Sequence, residues 1–208
     1  MMDPQPLPLR VMLATANPRK VAEILQIWKD YPLQAEPFSA LGDWPDAPET
    51  GTTYLENALQ KAKYYYDIAK RPCVADDSGI EVAALDWGPG VYTKRFTPPG
   101  MAQAQRLQYM LRHLRDCSTP EQRRARFRCA AVAYGFTDEP LTAEGVLEGY
   151  IAFEPVGEGG FGYDPIFCLN GQSQTLAEVV GDYKNSVSHR GQAMRSLAEK
   201  LLATVPHL

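Results

Sequence analysis

The run Cys73-Val74-Ala75-Asp76-Asp77-Ser78-Gly79 constrains this chain most, because a short apolar stretch meets two adjacent carboxylates, a hydroxyl and a glycine. An uninterrupted apolar run of this kind reads as a strand buried in a sheet. The acids and the glycine read as the turn that ends it. Side chains at strand ends of an α/β sheet project from rigid backbone into the crevice where ligands bind. Two neighbouring carboxylates suit a magnesium ion, which takes hard oxygen ligands and keeps waters and phosphates among them. They equally suit an Asx-type turn in which the acids only satisfy local backbone donors. The stretch by itself leaves both readings open.

At 208 residues the chain has room for one well-buried domain, and its 45% apolar and 22% charged residues are those of an ordinary globular protein. The net charge of -4 argues against a large electrostatic footprint for duplex nucleic acid, while leaving room for a local basic pocket. Cys73, Cys117, Cys129 and Cys168 are scattered without paired spacing, so neither a zinc site nor a disulfide framework is suggested and a reducing cytoplasm fits. Residues 1–8, with three prolines and an acid, read as a loose lead-in and not as a secretory signal. No apolar run approaches the ~20 residues that cross a bilayer, so a soluble protein is expected.

Residues 9–14 form an apolar run that stops at Thr15-Ala16-Asn17-Pro18-Arg19-Lys20, and Val21, Ile24, Leu25 and Trp28 then recur at helical spacing. A strand thus leads through a polar turn into a helix, whose first backbone N–H groups make an anion site with Thr15, Asn17 and Lys20. The alternative is a plain Asn-Pro helix start with a solvated lysine. Residues 43–51 form an acidic, proline-rich loop ending in Glu49-Thr50-Gly51, and Thr53-Tyr54-Leu55-Glu56 has the form of a capping box. Leu55, Ala58, Leu59 and Ala62 make the apolar stripe of the helix that follows, with Lys61 pointing elsewhere.

Gly88-Pro89-Gly90 and Pro98-Pro99-Gly100 break the chain, and Leu107, Met110, Leu111 and Leu114 mark the buried face of another helix. Residues 125–134 and 141–152 read as a long antiparallel hairpin, which makes the sheet mixed. The segment 157–165 packs four glycines, Phe161, Tyr163 and Asp164 together; glycines admit close backbone approach and an aromatic among them offers a stacking face, unless Phe161 is simply core. Residues 165–169 read as a strand, and Thr175-Leu176-Ala177-Glu178 as a second capping box opening a helix. Ser188 reads as the N-cap of a last helix with Ala193, Leu197 and Leu201 on one face. His189 and Arg190 then sit in its first turn, where cations are disfavoured, which hints at an anionic or oxygen-rich partner.

Four separated motifs, in order along nearly the whole chain, resemble the inosine triphosphate pyrophosphatase family. They are Thr15-Ala16-Asn17-Pro18-Arg19-Lys20; Glu49-Thr50-Gly51 with Glu56-Asn57-Ala58 and Lys61; Ala75-Asp76-Asp77-Ser78-Gly79 with Pro89-Gly90-Val91-Tyr92; and Gly159-Gly160-Phe161-Gly162-Tyr163-Asp164-Pro165 with Ser188-His189-Arg190. Ala16 departs from the glycine most frequent there. The resemblance implies an elongated α/β fold with a long mixed sheet flanked by helices, two lobes with a cleft between them, and a homodimer. It also implies magnesium-dependent hydrolysis of non-standard purine nucleoside triphosphates (ITP, dITP, XTP) to monophosphate and pyrophosphate.

On this resemblance Asp77 is the catalytic acid and a magnesium ligand, Glu49 the second ligand and Asp76 a backup. Thr15, Ala16, Asn17, Pro18, Arg19, Lys20, Lys61 and Ser78 hold the triphosphate. Lys94 is open between a phosphate contact and a solvated cation. Phe161, Gly162, Tyr163, Asp164, Lys184, His189 and Arg190 hold the base, with donors that meet the 6-oxygen of inosine or xanthosine and oppose the amino group of adenine. The alternatives are a related pyrophosphatase for other modified nucleotides and a non-catalytic nucleotide-binding module.

Overall fold

In β1 (Leu9–Leu13) the odd and even side chains enter different apolar clusters, Val11 and Leu13 one and Met12 the other. Successive strand residues point to opposite faces, so this part of the sheet is covered on both sides. The computed structural model describes residues 7–42, 44–179 and 181–205; the lead-in expected at residues 1–8 lies, up to residue 6, outside them, as does Asp43. The strands form a seven-stranded sheet in the order β2-β1-β3-β5-β6-β7, with β4 beside β3. They are β1, β2 (Leu33–Pro37), β3 (Cys73–Val82), β4 (Gly88–Pro89), β5 (Arg124–Tyr134), β6 (Leu141–Ile151) and β7 (Phe167–Leu169). β1 pairs in parallel with β2 and β3, whereas β4 pairs antiparallel with β3 and β7 with β6. The Ile151 N–H donates to the Arg123 carbonyl at 2.9 Å, which sets the end of β6 against the start of β5 as in a hairpin. The sheet is therefore mixed, as its sequence suggests.

The chain divides into two compact units, one of Met1–Asp77, Cys129–Glu144 and Arg190–Leu208, the other of Ser78–Arg128 and Gly145–His189. In the first, α1 (Pro18–Ile27) and α5 (His189–Thr204) bring Ile24, Ile27, Ala193, Met194, Leu197 and Leu201 onto Val11, Leu13 and Val74. α2 (Tyr54–Ala69) brings Ala58, Ala62 and Tyr65 onto Met12, Cys73 and Ala75. The second unit has its own core, in which Leu107, Met110, Leu111 and Leu114 of α3 (Gln103–His113) and its C-cap meet Ile80, Val82, Phe127, Ile166 and Phe167.

Several sequence expectations are corrected. β3 does not turn at the acids: it runs ten residues through Asp76 and Asp77 to Val82, buried throughout except at Ser78. The carboxylates are tolerated mid-strand because Asp76 meets two cations and Asp77 one cation and an amide donor. On α2, Leu55 is 36% exposed while Lys61 and Asn57 are buried; the inward face is Tyr54, Asn57, Ala58, Lys61, Ala62 and Tyr65, which keeps helical spacing but carries two polar residues. Leu25 of α1 is likewise exposed. Residues 165–169 are only partly strand, because Asp164–Ile166 forms a 3-10 turn before β7.

No helix starts at Thr175. That residue bridges to Cys168, and its hydroxyl donates to the Val156 carbonyl at 2.7 Å instead of capping. The helix begins later, as α4 (Gly181–Val187). β2 was not signalled by the sequence, since Leu33-Gln34-Ala35-Glu36-Pro37 has little apolar character and ends in proline, which an edge strand accepts.

Candidate active site

Because β3 continues through them, Asp76 and Asp77 face opposite sides. Asp76 shares the side of Val74, under α1 and α5; Asp77 shares that of Cys73 and Ala75, under α2. They cannot form one carboxylate pair, and each has its own partners.

Asp76 is fully enclosed. Its Oδ2 accepts from Lys20 Nζ at 2.9 Å and from Arg190 Nε and Nη2 at 3.3 Å each, with the Cys129 thiol at 3.8 Å. Its Oδ1 is buried with no hydrogen-bond partner among the described residues. Arg190 Nη1 in turn donates to Glu23 of α1 at 2.5 Å. Burial alone would raise the Asp76 carboxyl, but Lys20, Arg190 and Lys61 outweigh it and hold it well below the usual carboxylate range. Burial pulls Lys20 below its ordinary value despite Asp76. For Arg190 the carboxylates win over burial and raise it. Two carboxylates and two cations make this set formally neutral.

Asp77 belongs to a second set. Its Oδ1 accepts from Lys61 Nζ at 3.2 Å and its Oδ2 from Asn57 Nδ2 at 3.1 Å, and the same Lys61 Nζ donates to Glu49 at 3.0 Å. Burial would lower the Lys61 ammonium, but Asp77, Asp76 and Glu49 raise it. Two carboxylates thus converge on one ammonium, leaving a formal excess of one negative charge. The loop bearing Glu49 is bound to α2 at several points. Tyr65 accepts from the Ala47 N–H at 3.3 Å, Gln60 from the Thr50 N–H at 3.1 Å and Asn57 from the Gly51 N–H at 2.8 Å. Glu56 accepts from Thr52 and Thr53 N–H, completing with Thr53 the expected capping box.

The turn before α1 behaves differently from its expected anion site. Asn17 Oδ1 accepts from the Arg19 and Lys20 N–H groups at 3.0 and 3.4 Å, so two helix-start donors already serve the cap, and Pro18 has none. Thr15 Oγ1 accepts from the Asn17 N–H at 3.3 Å. Ala16, Pro18 and Arg19 are exposed, and the charge from this segment that reaches a carboxylate is that of Lys20. Lys94 is exposed within a 3-10 turn and Ser78 is half-buried in β3.

In the second unit the glycine-rich loop wraps one acid. Asp164 Oδ2 accepts from the Phe161 N–H at 2.6 Å and from Lys184 Nζ of α4 at 2.7 Å, and that ammonium lies 4.9 Å over the Phe161 ring. Gly160 has φ +68°, and a Cβ there would stand 2.2 Å from Asp164 Oδ2, so only glycine closes this loop. Phe161 is half-buried and outside the apolar core. The Gly162 carbonyl accepts from Gln103, and burial pushes the Tyr163 phenol up to about 12. His189 stacks on Phe127 at 4.8 Å. Arg190, expected beside the base, instead makes its ion pairs with Asp76 and Glu23 of the first unit. Glu23 was not singled out by the sequence reading, and Asn57 stood in a quoted motif without a role of its own. For Asn57 a signal existed, since it stands one helical turn before Lys61 on α2.

The donor set at Glu49 and Asp77 fits magnesium. Both are hard carboxylates, 3.0 and 3.2 Å from one cationic nitrogen that marks where positive charge is favoured. Among the described residues no group of three or more His, Cys, Asp or Glu is placed to hold a metal. Two carboxylates completed by waters and phosphates are a usual magnesium arrangement.

Fold and side chains together define an α/β protein with two buried carboxylate–cation sets at the middle of its sheet and a glycine-bound aromatic–acid–lysine set. The chain belongs to the Ham1 family, whose sequence model matches residues 11–200. It is 39% identical over 194 residues to a dITP/XTP pyrophosphatase of Photorhabdus laumondii, covering 92% of this chain and 98% of that protein. A dITP/XTP pyrophosphatase of Bacillus subtilis is 38% identical over 192 residues, 92% of this chain and 96% of that one. The solved structure of a HAM1 protein from Coxiella burnetii superposes with a TM-score of 0.83 at 37% identity, covering 94% of this chain and all of that chain. The Ham1 protein of Staphylococcus aureus gives 0.81 at 31% identity, with 93% and 98% covered.

Proposed function

We propose that this protein hydrolyses non-standard purine nucleoside triphosphates, dITP, ITP and XTP, to the nucleoside monophosphate and pyrophosphate. The names of its relatives support the substrate class. The observation that carries the chemistry is the meeting of Glu49 and Asp77 on one ammonium, Lys61 Nζ. A bound magnesium ion would supply charge neutralisation for the phosphate oxygens and acidify a coordinated water. Glu49 and Asp77 would hold it.

In this reading Asp77 orients the attacking water and accepts its proton at a carboxylate oxygen. Lys61 and Lys20 stabilise the charge that develops on the non-bridging oxygens of the triphosphate, which is most of what phosphoryl transfer requires. Thr15 and Ser78 add hydrogen bonds. Arg190, held by Asp76 and Glu23, fixes the Asp76 carboxylate that carries Lys20. The set of Phe161, Asp164 and Lys184 takes the base. Phe161 stacks on it, while Lys184 and His189 donate to a 6-oxygen that adenine lacks, and a donor facing the adenine amino group would stay unpaired. In this reading the protein acts as a homodimer in the cytoplasm.

A panel of purine and pyrimidine triphosphates with and without magnesium tests this, with monophosphate and pyrophosphate both quantified. Magnesium-dependent release of pyrophosphate from dITP, ITP and XTP, and little from dATP, is expected. Asp77→Asn should abolish it without unfolding the protein. Orthophosphate as the product, a preference for modified pyrimidines, or full turnover by Asp77→Asn would overturn the reading.

A further inference from the structure

We propose that Asn57 is a positioning residue that sets the rotation of the Asp77 carboxylate and couples it to the loop bearing Glu49. The inference rests on the reading that Asp77 is catalytic. Asn57 is 1% exposed, on the inward face of α2. Its two amide atoms serve two masters: Oδ1 accepts from the Gly51 N–H at 2.8 Å, and Nδ2 donates to Asp77 Oδ2 at 3.1 Å. Only one amide orientation does both, since a backbone N–H needs an acceptor and a carboxylate needs a donor.

The consequence for Asp77 is a fixed rotation. The last torsion of an aspartate is broad and roughly two-fold, so an untethered carboxylate presents its oxygens without preference. Here Asn57 takes Oδ2, which turns Oδ1 toward Lys61, and Lys61 is the group that Glu49 also meets. The consequence for Glu49 is a fixed approach. The two residues that follow it, Thr50 and Gly51, are tied through their N–H groups to Gln60 and Asn57, and Thr52 to Glu56, all on α2. Among these three side chains Asn57 is the buried one and the one that also reaches a carboxylate. Gly51 lies so close that a Cβ there would stand 2.8 Å from Asn57 Oδ1 and 2.7 Å from Glu56 Cβ. One amide of α2 thereby ties the Glu49 loop and the Asp77 carboxylate to the same helix.

The two halves of the amide separate experimentally. Asn57→Asp is isosteric and keeps an acceptor for the Gly51 N–H, but has no donor for an ionised Asp77. Asn57→Ala removes both bonds without adding charge. Each full-length variant is assayed on dITP with magnesium, and the Gly51 amide is followed by hydrogen exchange in the absence of nucleotide and metal. Asn57→Asp should lose tenfold or more in kcat with KM within threefold, while Gly51 stays protected. Asn57→Ala should lose at least as much in kcat and exchange faster at Gly51. Wild-type kcat in either variant, or a loss in Asn57→Asp that appears only together with loss of Gly51 protection, would overturn the proposal, leaving Asn57 as a loop anchor. If one variant fails to fold, the other decides. Asp77→Asn distinguishes the two levels: turnover there sinks the assignment of Asp77 itself, whereas an inactive Asp77→Asn beside a fully active Asn57→Asp sinks the role of Asn57 alone.

Discussion

Asp76 and Asp77 are adjacent in the chain and separated by the plane of the sheet, and this one alternation assigns them different work. Asp76 is enclosed among Lys20, Arg190 and Cys129, so it is part of the framework. Asp76→Asn should destabilise the protein by about 3–5 kcal/mol, the cost of leaving buried cations without their counter-charge, as read by urea unfolding at neutral pH. A change under 1 kcal/mol would show that the enclosure contributes little. A titrating group gives a second handle. Burial raises the Tyr163 phenol to about 12, with Arg106 opposing, whereas in the unfolded chain it ionises near ~10. The unfolded state therefore loses the proton first, so this contribution to stability is complete below ~10 and is lost as pH rises toward 12. Tyr163→Phe should be less steeply destabilised across that window, by up to about 1.4 kcal/mol per pH unit, while differing little at pH 8. Parallel alkaline limbs for the two proteins would contradict it. Motif order singled out Asp77, Glu49, Lys20 and Lys61, and the structure brings Glu49, Lys61 and Asp77 together and sets Lys20 on Asp76. The divergence of the two acids was not, because a strand that continues through charges looks, in one dimension, like a strand that stops.

The two capping-box sequences show what decides at the level of elements. Thr53-Tyr54-Leu55-Glu56 and Thr175-Leu176-Ala177-Glu178 have the same form, yet only the first opens a helix. At Thr53 the hydroxyl accepts from the Glu56 N–H at 3.1 Å. At Thr175 it donates to Val156 while the backbone bridges to Cys168. Tertiary pairing took the residue that local propensity had offered to a helix. Thr53→Ala should accordingly cost about 1 kcal/mol, readable as a few degrees in Tm, whereas Thr175→Ala would act through the lost Val156 bond and leave α4 intact by circular dichroism. Equal loss of helix in both variants would refute this. Element existence was otherwise well signalled where periodicity was strong, as for α3 and α5. It failed at β2, whose polar edge composition carries no pattern. It misled on α2, where counting only apolar residues put Lys61 outside; a helix face that must feed two carboxylates buries its polar residues too.

Each unit is assembled from separated chain segments, and the division falls between His189 and Arg190, so two neighbouring motif residues serve different sets. A sequence motif treats them as one donor pair for a base. Their contacts do not: Arg190 is held by Asp76 and Glu23, while His189 stacks on Phe127. In the proposed reading, base choice rests on Phe161, Lys184 and His189, and charge on the triphosphate on Lys20 and Lys61. The two demands should respond to mutation separately. Lys20→Ala removes a contact common to every triphosphate, so kcat/KM should fall for dITP and dATP in the same proportion and their ratio should hold. Lys184→Gln removes a charged donor near the stacking ring, so the rate on dITP should fall while dATP, already opposed by that donor, should change less. A tenfold drop in the ratio corresponds to about 1.4 kcal/mol, within what one hydrogen bond to a charged group supplies. Both specificity constants, measured for wild type and the two variants, decide the matter. A ratio that moves with Lys20 and stays fixed with Lys184 would exchange the roles of the two sets.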